Sequence, residues 1–300
     1  MQKSPATPEM TAPPEWSRHS PDMRTLLSGK DRGPLKRAAL RRVATGIGVE
    51  ARYQPLVHMQ THRPIAMEAL VRLQLSTEDL LYPGDFLPQI EAAGLAGALT
   101  DAMARLAFSD WAALTDTVHR PVLSINFSLD VLLSAPALAR LDARRQAANI
   151  PSSVVLIELT ESRPVEDLVG LERSLRRVRE AGYAVALDDI TPSLPHLDRL
   201  LEMPFTVLKL DKGVVRGAAE HTDAAAFISR ILATANAQGM AVTAEGVEDA
   251  RIWAKMSALG VHAAQGYLIG APMRAADILD WLADWTARYP LQSSLTPAAD

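Results

Sequence analysis

The segment RYQPLVHMQTHRPIAMEALV, residues 52–71, decides the fold of this 300-residue chain. It contains two β-rich runs, RYQPLV and IAMEALV, that are separated by only a few residues around Met59–Arg63. A crossover between parallel strands needs a dozen or more residues, so this connection is too short for one. The first two strands are therefore predicted to be antiparallel.

Further along the chain, short β-rich runs alternate with longer helical stretches. Six more strands are predicted from the runs VLSINF, VVLIEL, YAVALDD, TVLKLD, MAVTAEG and HAAQGYLI. Apolar spacing predicts helices over 100–118, 165–181, 223–239, 248–260 and 276–289. Eight strands interleaved with helices over ~250 residues are typical of a (β/α)8 barrel. With its antiparallel first strand, the α/β fold is predicted to be a modified TIM (β/α)8 barrel.

Composition narrows the class of protein. Hydrophobic residues make up 48% of the chain and charged residues 22%, which is typical of a globular protein with a large core. The absence of cysteine excludes disulfides, thiolate metal sites and a cysteine nucleophile. No apolar run approaches the ~20 residues that a membrane span needs, and no secretory signal is visible. We expect a soluble, cytoplasmic protein without a membrane span.

Charge and proline content divide the chain into three parts. Residues 1–45 carry a net charge of +5 and six of the 20 prolines, whereas residues 46–300 carry −9. This composition predicts a flexible or weakly helical leader over 1–45, for which a solvated linker is commoner than an anion-binding segment. Residues 46–289 are predicted to form the barrel domain and residues 290–300 a tail. No DNA binding is expected.

Polar side chains recur within or at the ends of seven of the eight predicted strands. They are Glu68, Asn126, Glu158, Asp188, Asp189, Lys209, Asp211, Glu245 and Gln265. Active sites of barrels lie where the strands finish, at the carboxyl face. A polar cap between a strand and a helix is the commoner role for a single aspartate pair, and local hydrogen bonding explains one buried polar residue. Recurrence in seven strands favours a functional site.

The residue types predict the chemistry of this site. Several carboxylates and an amide, without histidine or cysteine, suit Mg²⁺ or Mn²⁺ better than zinc. Two such ions ~3.5–4 Å apart activate a water and stabilise the leaving oxygen in phosphoester hydrolysis. Lys209 and Asp211 lie two apart in a strand and so share a face, where the lysine could hold or deprotonate the attacking water. An inward salt bridge is the alternative role for Lys209.

The ordered motifs of the chain resemble a known family. From Tyr53 to Trp281 they read YQPLV, MEALVRL, SINFS, IELTES, ALDD, LKLDKGVV, TAEGVE and QGYLIGAPM. This succession resembles the EAL domain of cyclic di-GMP phosphodiesterases. The resemblance implies a modified barrel with an antiparallel first strand. It also implies hydrolysis of cyclic di-GMP to linear pGpG with two Mg²⁺ or Mn²⁺ ions.

The resemblance assigns roles by position. The implied ligands of the first ion are Glu68, Asn126, Glu158 and Asp188. The implied ligands of the second ion are Asp188, Asp189 and Glu245. Glu245 is also an implied catalytic residue. Lys209 resembles the lysine that positions the attacking water, with support from Asp211 and Gln265. Gln54 and Arg72 resemble substrate contacts, the arginine to a phosphate. Glu161 resembles the glutamate that anchors the loop after the aspartate pair.

That loop departs from the family pattern. The family typically reads DDFGTGYSS, whereas residues 188–196 read DDITPSLPH. Thr191 and Ser193 replace glycines, and they adopt positive φ angles reluctantly. We therefore expect a different loop path and slow turnover, with a protein partner or a homodimer interface ordering the loop. Adjacent strand residues face opposite ways, so Asp188 and Asp189 reach the same ions only if the chain turns there.

Three functions remain open on the sequence alone. A metal-dependent cyclic di-GMP phosphodiesterase is the leading hypothesis, because every ligand-type residue is present. The altered loop favours the alternative of an inactive or partner-gated domain that acts as a cyclic di-GMP receptor or protein-interaction module. A barrel hydrolase acting on another phosphoester is the third. Nucleotide binding without turnover would separate the second from the first.

Overall fold

The computed structural model describes residues 37–76, 79–114, 121–160 and 165–290. Within them the strands are β1 Val49–His58, β2 Pro64–Ser76, β3 Asp79–Leu81, β4 Val122–Ser128, β5 Val155–Thr160, β6 Ala184–Ile190, β7 Val207–Leu210, β8 Ala241–Ala244 and β9 Ala263–Gln265. The α-helices are α1 Arg37–Ala44, α2 Pro83–Ala92, α3 Ala96–Ala113, α4 Leu129–Leu133, α5 Ala135–Ala147, α6 Leu168–Glu180, α7 Leu197–Leu201, α8 Lys212–Ala218, α9 Thr222–Gln238, α10 Ala250–Leu259 and α11 Ile278–Arg288.

The strands close into an eight-stranded barrel. The order is β1-β9-β8-β7-β6-β5-β4-β2, and pairing of β1 with β2 completes the ring. β1 is antiparallel to both of its neighbours, while the other barrel strands are parallel to one another. The prediction of a modified barrel with an antiparallel first strand is therefore confirmed.

A tight turn makes the antiparallel pair. The backbone N–H of His58 donates to the carbonyl of Arg63 over 2.9 Å, and that of His62 donates to the carbonyl of His58 over 2.9 Å. His62 takes a left-handed φ of 54°, which reverses the chain within five residues. The strand β3, which the sequence analysis did not predict, pairs antiparallel with the projecting end of β2.

Side chains alternate along the strands, and this alternation builds two environments. Ile125, Ile157 and Leu208 are buried and belong to the apolar core. Ser124, which precedes Ile125, and Glu158, which follows Ile157, are also buried. They contact each other across neighbouring strands. The barrel interior thus becomes polar toward the carboxyl ends of its strands, which places the candidate site.

The helix α1 lies within the range that the sequence analysis assigned to the leader. Val43 in this helix is buried, and Arg42 Nη1 donates to the carbonyl oxygen of Leu75 at the end of β2 over 2.9 Å. These contacts join residues 37–44 to the barrel. Residues 1–36, and residues 291–300 of the predicted tail (290–300), lie outside the described residues. Among the residues that are described, no helix has the length and apolarity that crossing a membrane requires.

Candidate active site

Lys209 lies at the centre of the candidate site, buried near the carboxyl end of β7. Its Nζ lies 2.6 Å from Glu158 Oε2, 2.6 Å from Glu245 Oε1, 3.1 Å from Asp188 Oδ1 and 3.5 Å from Glu68 Oε2. The four carboxylates come from β2, β5, β6 and the residue that follows β8. Closure of the barrel therefore gathers residues that are far apart in the sequence around one lysine.

Neutral side chains orient two of these carboxylates. Asn126 Nδ2 donates to Glu68 Oε1 over 2.8 Å, and Gln265 Nε2 donates to Glu68 Oε2 over 2.8 Å. Ser124 Oγ donates to Glu158 Oε1 over 2.5 Å. The sequence analysis missed Ser124, although its position two residues before Asn126 places both on one face of β4.

The Asp188–Asp189 pair occupies an irregular strand end. The pairing register of β6 with β7 shifts between Leu187 and Ile190, and Asp189 takes a left-handed φ of 53°. This turn allows neighbouring carboxylates to approach the same point. Oxygen atoms of Asp188, Asp189 and Glu245 lie within 4.8 Å of one another. These three residues are the set that the resemblance implied for the second ion.

The loop after the pair avoids left-handed backbone at the positions where the family has glycine. Among residues 190–196, the left-handed region is occupied by His196 alone, with φ 57°. Thr191 Oγ1 and Ser193 Oγ are hydrogen-bonded at 3.1 Å, and the N–H of Leu194 donates to the Thr191 carbonyl over 3.2 Å. Thr191 and Ser193 thus avoid the left-handed region that glycine favours, and α7 begins directly after the loop.

Lys209 and Glu68 stay charged despite their burial. Burial lowers the pKa of Lys209, but the charges of Glu158 and Glu245 outweigh it and hold that pKa well above its usual value. Burial would raise the pKa of Glu68, yet the charge of Lys209 and the hydrogen bond from Asn126 bring it below its usual value. An ion-paired lysine and carboxylate therefore persist at neutral pH.

Three other carboxyls, those of Glu158, Glu245 and Asp189, hold protons more tightly than usual. Burial raises the pKa of Glu158 well above its ordinary range. Burial, followed by the charge of Asp188, raises the pKa of Glu245 to about 8. Asp189 is exposed at the mouth, but desolvation by the surrounding protein and the Asp188 charge raise its pKa to about 6. Burial is the larger cause of these raised pKa values, and the neighbouring negative charges add to it.

The excess of negative charge around Lys209 matches the needs of a divalent cation. Five carboxyls lie around a single lysine, so full ionisation leaves a net negative charge that two divalent cations would neutralise. The donors are carboxylate and amide oxygens, which suit Mg²⁺ or Mn²⁺. The residues that could hold ions are Glu68, Asn126, Glu158, Asp188, Asp189 and Glu245. The described residues therefore fit the metals that the resemblance implied.

Two cavities border the carboxylates. A cleft of about 330 Å³ has Gln54, Lys212, Arg216 and Tyr267 among its lining residues. A cavity of about 430 Å³ lies on the side of α2 and α3, with mainly apolar walls that include Leu87, Ile90, Leu99 and Met103. Both reach Glu68, so a ligand in either would approach the acidic cluster.

Of the residues expected to contact substrate, Gln54 lines the first cleft, and Arg72 lies two residues beyond Leu70 of the same cleft on β2. Gln54 accepts a hydrogen bond from Gln265 Nε2 over 3.3 Å and donates to the carbonyl of Gly270 over 3.2 Å. Arg72 is buried, its Nη1 donates to the carbonyl of Val71 over 2.8 Å, and its guanidinium lies 4.8 Å from the ring centroid of Tyr82. A polar chain thus runs from Gln54 through Gln265 to Glu68.

A comparison with family models places most of this chain in one protein family. The family model described as the EAL domain matches residues 37–272, more than three quarters of the chain. The chain belongs to the EAL domain family. The match begins at the first residue of α1, which agrees with the contacts of that helix with the barrel.

Relatives of this EAL domain include named enzymes. Cyclic di-GMP phosphodiesterase PA2567 of Pseudomonas aeruginosa is 29% identical over 273 residues, 89% of this chain and 45% of that protein. Cyclic di-GMP phosphodiesterase RocR of the same organism is 31% identical over 236 residues, 77% of this chain and 59% of that protein. The EAL domain therefore spans about half the length of these curated relatives.

Solved structures share the architecture of this EAL domain. PaMucR phosphodiesterase, in complex with c-di-GMP, superposes with a TM-score of 0.74 at 26% identity, over 80% of this chain and 98% of that one. The EAL enzyme Bd1971, in a form bound to cAMP and cyclic di-GMP, gives a TM-score of 0.75 at 24% identity, over 81% of this chain and 67% of that one. The second likeness supports the fold alone.

Two residues predicted for this site are not among the contacts described above: Asp211 forms no ion pair with Lys209, and Glu161 lies outside the described residues. Asp211 accepts a hydrogen bond from the N–H of Gly213 over 2.8 Å and caps the start of α8. Its charge also contributes to the raised pKa of Asp189. Glu161 lies outside the described residues, so its anchoring role stays a prediction.

Proposed function

We propose that this EAL domain is a metal-dependent phosphodiesterase that hydrolyses cyclic di-GMP to linear pGpG. The observation that carries the proposal is the convergence of Asp188, Asp189 and Glu245 beside Lys209 at the carboxyl ends of the barrel strands. Named cyclic di-GMP phosphodiesterases among the relatives supply the substrate.

Two Mg²⁺ or Mn²⁺ ions are proposed to bind the acidic cluster. The first would be held by Glu68, Asn126, Glu158 and Asp188, and the second by Asp188, Asp189 and Glu245. When bound, the ions supply activation of the attacking water and stabilisation of the leaving oxygen. Because Asp188 belongs to both sets, its carboxylate is the proposed bridge between them.

Lys209 and Gln265 are proposed to organise the reacting water. The Lys209 ammonium lies between Glu158 and Glu245, so it can hold a water oxygen next to the carboxylates. Gln265 fixes Glu68 through its amide and extends toward Gln54. Gln54 and Arg72 are proposed to contact the nucleotide, and Asp211 to support the site through its negative charge.

Turnover of cyclic di-GMP by the purified full chain tests this proposal. In Mn²⁺ we expect pGpG to appear by chromatography and to vanish with EDTA. Glu68→Gln, which removes one buried negative charge at constant shape, is expected to abolish turnover. Its matched control is Glu180→Gln, an exposed glutamate at the end of α6, which should retain full activity. Metal-independent hydrolysis, or an active Glu68→Gln variant, would contradict the mechanism.

The loop 190–196 supports a second candidate function, a cyclic di-GMP receptor or protein-interaction module. This loop differs from the family pattern directly after the proposed ligands, and slow turnover is the expectation for it. Saturable binding of cyclic di-GMP with no pGpG after prolonged incubation would favour the receptor. A homodimer, a protein partner that orders the loop, and a cytoplasmic location stay predictions.

A further inference from the structure

Arg72 is a buried cation whose described contacts leave most of its hydrogen-bonding capacity unused. It is 7% exposed and donates one hydrogen bond, from Nη1 to the carbonyl of Val71. A guanidinium carries five N–H donors. Across the described ranges, no carboxylate forms an ion pair with Arg72. Such a group is suited to an anionic ligand.

The ring of Tyr82 is the contact that fixes this guanidinium. The Arg72 Cζ lies 4.8 Å from the ring centroid, within the range of a cation–π interaction. Tyr82 follows β3, which pairs with β2 through Leu73 and Leu81. Its N–H donates to Asp85 Oδ2 over 3.0 Å at the start of α2. The backbone of Tyr82 is thus fixed between a strand on one side and a helix on the other.

A second tyrosine borders the cleft next to this part of β2. Tyr267 is partly exposed at the cleft that also reaches Gln54 and Glu68. The same cleft is lined by Leu70, which lies two residues before Arg72 on the same face of β2. Arg72 is therefore oriented by Tyr82 and lies on the strand face that borders this cleft.

We propose that Tyr82 is a positioning residue that aligns Arg72 for a phosphate of the nucleotide and so determines substrate affinity. This inference rests on the proposed function, because it takes cyclic di-GMP as the ligand. Stacking on an aromatic face limits the guanidinium to one plane, and a preset plane favours bidentate binding of a phosphate.

The position of Arg72 along β2 predicts which kinetic constant responds. Arg72 lies four residues beyond Glu68 on the same strand face, about 13 Å along the strand. At that distance it acts on the bound nucleotide away from the reacting bond. Loss of its alignment weakens ground-state and transition-state binding equally, so KM rises while kcat is preserved.

Steady-state kinetics of two Tyr82 variants test the inference. Tyr82→Leu keeps apolar volume but removes the ring, and it should raise KM for cyclic di-GMP by about 3- to 10-fold with kcat within about twofold. Tyr82→Phe keeps the ring without the hydroxyl and should restore the KM of the unmodified chain. Melting temperatures verify folding. Should Tyr82→Leu fail to fold, Tyr82→Trp takes its place, and its larger ring face is expected to keep or lower KM.

The outcomes separate this inference from the proposed function. Turnover by the unmodified chain tests the proposed function. The ratio of KM between each Tyr82 variant and the unmodified chain tests the role of Tyr82. An unchanged KM in Tyr82→Leu, a loss confined to kcat, or a Phe variant as impaired as the Leu variant would overturn the positioning role. If the unmodified chain binds cyclic di-GMP without turnover, the same ratios are taken from dissociation constants. Absence of both turnover and binding overturns the two proposals together.

Discussion

At the scale of single residues, the acidic cluster is governed by the imbalance between Lys209 and the carboxylates around it. Lys209 lies within 3.5 Å of four carboxylate groups and Asp189 lies beside them. One ammonium neutralises one carboxylate, so the remaining negative charge is relieved by protons or by added cations. The raised pKa values of Glu158, Glu245 and Asp189 express this competition.

Replacement of Asp188 tests its proposed bridging role. Asp188→Asn removes one charge and one strong oxygen ligand from both proposed metal sets. We expect turnover to fall by about 100-fold or more and Mn²⁺ binding to weaken. The matched control is Asp198→Asn, because Asp198 is exposed and pairs with Arg230 on the surface. Chromatography of pGpG and calorimetry with Mn²⁺ measure the two effects, and substantial residual turnover in Asp188→Asn would exclude the bridge.

The affinity of the cluster for Mn²⁺ is expected to increase as pH rises from about 6 to 8. The pKa of Asp189 is about 6 and that of Glu245 about 8. Below these pKa values, protons occupy the carboxylate oxygens that would bind Mn²⁺. For each proton that the cation must displace, the affinity for Mn²⁺ falls by up to about tenfold per unit decrease in pH. Calorimetry in two buffers of different ionisation enthalpy measures affinity and proton release. Constant affinity without proton release would show that these carboxyls do not bind the ion.

At the scale of elements, the end of β6 and its loop act as one unit. Ile190, directly after the turn at Asp189, is fully buried and pairs with Leu210 of β7. It therefore fixes the end of β6 beyond that turn. Beyond it, Pro192 and Pro195 restrict the loop, and ion pairs Arg199–Glu172 and Arg230–Asp198 connect α7 with α6 and α9. The loop therefore has limited freedom to adjust to ions or substrate.

Glycine substitutions in this loop are expected to raise kcat and to lower the stability of the fold. Thr191→Gly combined with Ser193→Gly increases backbone freedom, so kcat should rise while the free energy of unfolding falls by about 1–2 kcal/mol. The control Thr61→Gly adds one glycine at the opposite end of the barrel, in the exposed β1–β2 turn. It should lower stability and leave kcat unchanged. If kcat stays constant in the double variant as well, the loop does not limit turnover.

At the scale of the whole molecule, the barrel carries a polar site at one end and an aromatic cluster at the other. His62, in the β1–β2 turn, stacks between Tyr289 at a centroid distance of 4.5 Å and Trp253 at 5.3 Å. Trp285 Nε1 donates to the His62 carbonyl over 2.6 Å. The β1–β2 turn, which makes these two strands antiparallel, is joined by this cluster to the C-terminal helices. Trp253 belongs to α10, Trp285 belongs to α11, and Tyr289 follows α11.

The His62 cluster predicts acid sensitivity of the fold. Burial, assisted by the charge of His58, lowers the pKa of His62 below 6.5. The unfolded chain then binds the proton more tightly, so stability is complete above pH 6.5 and falls with acidity by up to about 1.4 kcal/mol per pH unit. His62→Asn, which tolerates the left-handed backbone, should flatten this slope in denaturant titrations. His221→Asn, at an exposed position, should not.

Local sequence patterns were sufficient for the barrel strands but not for every element around them. Strong β-rich runs and helical spacing predicted the eight barrel strands and the five helices α3, α6, α9, α10 and α11, whereas β3 and the helices α1, α2, α4, α5, α7 and α8 were not predicted. The strand β3 has three residues, too few to show a period, and it forms because β2 offers it an edge. The helix α1 is rich in arginine and was assigned to the leader, because its burial of Val43 depends on contact with the rest of the domain.

The sequence by itself determined which oxygen donors line the carboxyl face, because strand position and residue type are local properties. Only the tertiary structure decided which of them meet. Lys209 and Glu68 are 141 positions apart, and Gln265 and Glu68 are 197 apart. Their contacts depend on barrel closure through β1, as does the cleft beside them. The placement of Tyr82 against Arg72 and the left-handed turn at Asp189 likewise follow from packing of distant segments, which no local pattern encodes.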